Sequence, residues 1–225
     1  MNSVEQRVSK LRKQVQQVAK DLPLLREEVA YGDAATSHFI DRLRIATENA
    51  IGIALLADAR FSAPVVAVVR SLLESLITTH WASLSDSNAD EIQTVAQFES
   101  TRLMRNLLTK GRGRIRNKIN GLDETQRILK QPFIKMAKSP PRIDRMARES
   151  GLEKPYDLAW GIISMLAHGN DTTSLVQESD LLPACVEAAR SFLEAIHLIV
   201  RNCVREHRST VATEIEAILN VSTFS

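Results

Sequence analysis

The chain has 225 residues, enough for one well-formed core, and its length alone does not demand two domains. Glycine (8), proline (7) and aromatics (4%) are all scarce, and alternating strands punctuated by Gly/Pro turns are missing, which excludes a β-rich design and predicts an all-α one. The net charge of +2 hides a segregation: residues 100–148 carry 14 Arg and Lys against three acids, and the remainder carries 15 against 24, a pattern that points to an anionic partner.

Residues 1–31 read as one long helix, and residues 32–225 as a bundle, for a total of about six to eight helices in a single helical bundle. Val4, Leu11, Val18 and Leu25 recur every seven residues, and Val8, Val15, Leu22 and Val29 supply the other half of a heptad seam. Pro23 interrupts the seam and Asp21 can cap a fresh start, so a kink or break is expected near Lys20. Such a seam either pairs two chains or lies along the chain's own bundle. A parallel in-register pair would set Arg7 against Arg12, so the second arrangement is expected first and antiparallel self-association next.

After Tyr31-Gly32 a second helix, Asp33–Arg60, presents Phe39, Leu43, Ala46, Ala50, Ile53, Ala54 and Ala57 as its core face. Ser62–Leu84 follows, with Ser62 as N-cap and Pro64 in the first turn, where a missing amide costs little. It is apolar on almost every side, as a bundle's central helix should be. Arg70 and Glu74 interrupt it one turn apart on one face.

Ser85–Asn88 is a turn and cap cluster before a fourth helix, Ala89–Lys110, whose Ile92, Val95, Ala96, Leu103 and Leu107 share one side and whose end falls at Gly111. A basic stretch, GRGRIRNKIN, leads to a polar helix near Asp123–Met136. Pro140-Pro141 precede a short helix, Ile143–Ser150, closed by Gly151. Pro155 opens a second strongly apolar helix, through Ser164 and His168 to Gly169. Leu181–Arg208, with Pro183 in its first turn, is the last long helix, and a short amphipathic one through Leu219 ends the chain.

The longest charge-free runs, Asn49–Ala57, Phe61–Val69 and Ser75–Ser85, fall well short of the ~20 residues that span a membrane, and no apolar signal core opens the chain. A cytoplasmic location is expected. Cys185 and Cys203, 18 residues apart on one predicted helix and so about 27 Å distant, cannot bridge within it and read as reduced thiols.

Chemistry can reside in three places. If the two apolar helices are neighbours, Arg70, Glu74, Ser164 and His168 converge in a low-dielectric space. There Arg70 can hold a carboxylate or phosphate, Glu74 can orient it or take a proton, and His168 can titrate near neutrality. The plain alternative is a structural network fixing helix register, with no ligand. The second place is Arg102, Arg105, Lys110, Arg112, Arg114, Arg116 and Lys118, which follow one another with no acid between them. They suit RNA phosphates or another anionic partner, in a salt-sensitive and sequence-indifferent manner, because Phe133 is the only aromatic from Ser100 to Arg148. A solvated basic face, or one that docks an acidic protein, is the alternative.

The run RSLLESLITTHWASL, followed much later by Tyr156 and SMLAHG (Ser164–Gly169), resembles a bacterial all-helical family of unknown function. Its members share an Arg-Ser…Glu helix and a late Tyr…Ser-x-x-x-His-Gly helix, and the family is loosely similar to HEPN-like proteins. The resemblance covers roughly Asp33 to Asn170. It implies an all-helical fold, marks Arg70, Glu74, Tyr156, Ser164 and His168 as one site, and assigns no reaction.

HEPN ribonucleases carry Arg, four to six residues, then His, often with Asn after the Arg. Arg201-Asn202 to His207 resembles that pattern, as does Arg190 to His197, and the resemblance implies metal-independent RNA cleavage. Arg201 and His207 would lie about 120° apart on a regular helix. They meet at one phosphate only if the helix ends between them or a second subunit completes the site. A solvated helix end, where Arg and His favour the dipole, is the simpler reading.

No Gly-rich phosphate loop, Cys/His metal spacing or nucleophile elbow is present, so neither cofactor nor metal is expected. Two functions remain. One is a HEPN-like effector that binds or cleaves RNA, a toxin or antiphage component acting as a homo-oligomer or in a protein complex. The other is a non-catalytic interaction or sensor module whose pocket is structural or holds a small anion.

Overall fold

The computed structural model describes residues 3–29, 34–130, 140–157, 178–205 and 218. The helices described are α1 (Val4–Glu28), α2 (Ala34–Asp58), α3 (Ser62–Ser83), α4 (Asp86–Thr109), α5 (Thr125–Lys130), α6 (Ile143–Glu149) and α7 (Glu178–Val204), and residues 153–157 are helical too. The fold is all-α, and among the described residues the only β pairing is a single bridge between Arg116 and Asp123. The chain divides into two compact units, Met1–Ala89 with Arg142–Ser225, and Asp90–Pro141.

In the first unit α1, α2, α3 and α7 pack together, and α6 lies on α3. Ser3 caps α1 by accepting from the Gln6 amide. The heptad seam turns inward: Val8, Leu11, Val18 and Leu25 are buried, and α1 packs on α2 and α7 of its own chain. The helix runs unbroken through Pro23, so the break expected near Lys20 does not occur. Burial of Val18 and Leu25 on either side of the proline holds the two halves on one surface, which outweighs one lost backbone bond. All seven residues expected on the core face of α2 are buried. Ala46, Ala50, Ala54 and Ala57 keep that face low, so neighbouring backbones can approach closely.

Helix α3 begins at Ser62 with Phe61 as its cap, one residue before the cap expected from sequence. Arg60, at φ 62°, turns the chain through a left-handed conformation that an L-residue rarely adopts, and this sets α3's start. Twelve residues of α3 are buried. With only two charges along it, α3 has the length and apolarity of a membrane span, which shorter charge-free runs had excluded. It packs against α2, α6 and α7 as the core helix of the unit. Pro183, expected in the first turn of the last helix, sits inside it, because α7 already includes Glu178.

In the second unit α4 closes on Gly111, at φ +66°. The Gly111 amide bonds Leu108 O (3.1 Å) and the Arg112 amide bonds Leu107 O (2.9 Å), a Schellman ending that needs the left-handed residue. Leu103 and Leu107, expected on the core side of α4, are 61% and 42% exposed. Periodicity identifies an apolar side but not whether anything covers it.

Candidate functional site

Arg70 and Glu74 share the least buried stripe of α3, with Ala63, Ala67 and Ser71. Their side chains pair at 3.4 Å between Arg70 Nε and Glu74 Oε1, and they remain 28% and 45% exposed. The pair is therefore half-open to solvent rather than sealed in the core, because the wholly apolar sides of α3 are taken by α2 and α7. Tyr156 lies near it. Burial pushes its phenol above the ordinary range, and the charges of Asp144 and Asp157 add to that, while Arg142 and Arg70 act in the opposite direction. The structure thus brings Arg70, Glu74 and Tyr156 into one neighbourhood, and adds the Arg142–Asp144 pair (3.0 Å), which sequence reasoning missed. Ser164 and His168 lie outside the described residues.

At the far end of α3, Trp81 is fully buried, and its indole N–H donates to Glu149 Oε2 (2.6 Å). Arg145 donates to the other oxygen of the same carboxylate (2.8 Å) and stands 5.9 Å over the indole ring. This joins α6 to α3 beside the Arg70–Tyr156 neighbourhood.

The basic stretch lies in the second unit. Arg102 pairs with Glu99 (2.6 Å), and Arg105 donates to Leu129 O (3.0 Å), tying α4 to α5. Those two cations are therefore engaged within the unit. Lys110, Arg112, Arg114, Arg116 and Lys118 are exposed, and none forms an ion pair among the described residues. Their loop is ordered by its own polar groups. Asn117 N bonds Leu122 O (2.9 Å), Glu124 N bonds Ile115 O (2.8 Å), and the Asn117 side chain accepts from Ile119 N (2.8 Å) and donates to Glu124 (3.0 Å). Arg114 and Arg116 help to hold the Asp123 carboxyl below its usual range, after the dominant hydrogen bonds from Thr125.

Helix α7 is described as far as Val204, with Arg201 in its last turn. His207 lies outside the described residues. Arg201 is exposed and lines a cleft of ≈ 160 Å³ between α1 and α7. Arg190, the other Arg of that pattern, is engaged by Glu187 (2.8 Å) and Glu194 (2.7 Å). His197 lies 3.0 Å from Asp21 of α1. That contact was missed, although Arg7, Gln14, Asp21 and Glu28 recur every seven residues on α1 and could have marked a polar seam. Among the described residues no group of three His, Cys, Asp or Glu side chains could hold a metal ion.

No curated protein and no solved structure matches the chain. A family model matches residues 42–180, a span that takes in the Arg70 neighbourhood, Ser164, His168 and the whole basic stretch, and leaves Arg201 and His207 outside. The chain therefore belongs to the family of unknown function DUF5677.

Proposed function

We propose that this protein binds RNA through the phosphate backbone, using the exposed cations of residues 110–118, and that it is a HEPN-like helical effector. The observation that carries the reading is the state of those cations: five in nine residues, all exposed, unpaired among the described residues, on a loop braced by backbone and Asn117 hydrogen bonds. Phosphate contact requires nothing more than such charges in reach of a strand. Cleavage, where it occurs, falls to Arg201 steadying the phosphate charge and His207 moving the proton, with a second copy or a partner chain completing the site.

The full chain incubated with labelled single-stranded RNA tests both parts. Binding should weaken at least tenfold when Arg112, Arg114 and Arg116 are all changed to Ala, and any cleavage should vanish in Arg201→Ala and in His207→Ala. Unchanged binding in the triple variant would refute the reading.

A second reading is favoured by the Arg70–Glu74 pair and the nearby Tyr156: a sensor module whose pocket, completed by Ser164 and His168, holds a small anion. Arg70→Ala and His168→Ala should then both abolish anion binding while leaving RNA binding intact.

A further inference from the structure

Arg201, which the RNA reading places at a scissile phosphate, also lines the α1–α7 cleft, where His197 and Asp21 form a polar arrangement that reading does not use. The cleft is lined by Gln17, Asp21, Leu24, Leu25, Arg201 and Arg205. Arg205 is already held by Glu28 through two 2.9 Å bonds. Gln17 donates to both oxygens of Asp21, at 3.1 and 3.2 Å. Arg201 makes no hydrogen bond or ion pair with any described residue.

One turn before Arg201, His197 is only 5% exposed. Its Nε2 lies 3.0 Å from Asp21 Oδ2, whose charge and hydrogen bonding both favour a proton on the ring. The buried ring thus stands between the Asp21 carboxylate, which favours its proton, and the Arg201 charge, which opposes it.

The charges indicate which state that is. With His197 neutral, the carboxylates of Asp21 and Glu28 together balance the guanidinium groups of Arg201 and Arg205, so the cleft has no net charge. With His197 protonated, the imidazolium satisfies Asp21 and the Arg201 charge is left uncompensated.

We propose that this cleft is a proton-coupled site for a tetrahedral oxyanion, in which protonated His197 offsets the Asp21 charge and Arg201 holds the anion. Asp21 of α1 and Arg201 of its own helix are the charged groups acting on His197. Helices α2 and α3 also pack on α7, and among the described residues they bring no further charge to bear on the ring. Burial, with Arg201 assisting and Asp21 opposing, holds the ring below the ordinary histidine range. The anion therefore binds more tightly as pH falls through the lowered range in which the ring takes up its proton. By linkage, bound anion raises the pKa of His197 by the same factor.

The test is an NMR titration of the histidine rings in the full chain, the His197 signal being assigned by its loss in His197→Gln. Sodium sulfate is the probe, since its charge is constant over the range, and it is compared with sodium chloride at equal ionic strength. The expected result is a sulfate affinity that rises about tenfold from about pH 7.5 to about pH 5.5, with a matching upward shift of the His197 midpoint. Both effects should be absent in Arg201→Gln, and in Asp21→Asn binding should persist without its pH dependence. A nucleoside monophosphate in place of sulfate distinguishes a free ion from the phosphate of a nucleotide: tighter binding through Arg201 identifies the nucleotide. If sulfate leaves the His197 midpoint unmoved, or moves it equally in Arg201→Gln, the proposal is wrong. That outcome would leave the RNA contact at residues 110–118 standing.

Discussion

Trp81 concentrates much of what ties α6 to α3. Its ring is fully buried, its N–H satisfies Glu149, and Arg145 covers its face. Trp81→Ala should lose about 3–5 kcal/mol of unfolding free energy by chemical denaturation, the usual cost of emptying an aromatic site. The histidines give a second residue-scale prediction. Burial holds His38, His80 and His197 below their ordinary value, and His38 also accepts a hydrogen bond from Arg42. Between the lowered folded pKa values and about 6.5, the unfolded chain binds more protons than the folded one, so stability is complete above that window and falls as pH descends through it. The urea midpoint should be lower at about pH 5.5 than at about pH 7.5, and His80→Gln should flatten the difference. Cys185 is buried, with its thiol pushed up to about 12, so it should resist alkylation in the native chain and react once urea unfolds it, as read by mass spectrometry.

Between elements, α1 and α7 are joined by a row of charges: Arg7 to Glu187 (3.4 Å), Asp21 to His197 (3.0 Å) and Glu28 to Arg205 (2.9 Å). The residue numbers rise together along both helices, so the two run parallel. Glu187 also holds Arg190, and Glu187→Ala would leave two largely buried guanidinium groups without their shared carboxylate. The expected cost is about 1.5–3 kcal/mol, measured as a lower unfolding free energy in urea. The apolar half of this architecture was legible: all seven residues assigned to the core face of α2 are buried, and α1's seam turned inward. The charged half was not, because pairing across helices depends on their register, which the order of residues along one chain does not encode. Leu103 and Leu107 were misplaced for the converse reason, since an apolar stripe predicts a buried face only when something is packed on it. The last helix extends further toward the N-terminus than its sequence suggests, because Glu178-Ser179-Asp180 has the polar composition of a loop.

Across the whole molecule, charge and fold separate. The first unit contains the main core, with α3 at its centre, and the second contains the uncommitted cations. Arg70 pairs with Glu74 and its charge acts on Tyr156, and the openness of that stripe was not legible, because burial of a helix face depends on what its neighbours cover. In the proposed RNA contact, residues 110–118 hold phosphates by charge alone. Its most direct test is the salt dependence of binding to a single-stranded RNA by fluorescence anisotropy, comparing the full chain with an Arg114→Ala/Arg116→Ala double variant. Five contacts predict a slope of about −3.5 in log K against log salt, and three predict about −2. Equal slopes for the two proteins, or no binding even at about 50 mM salt, would contradict it.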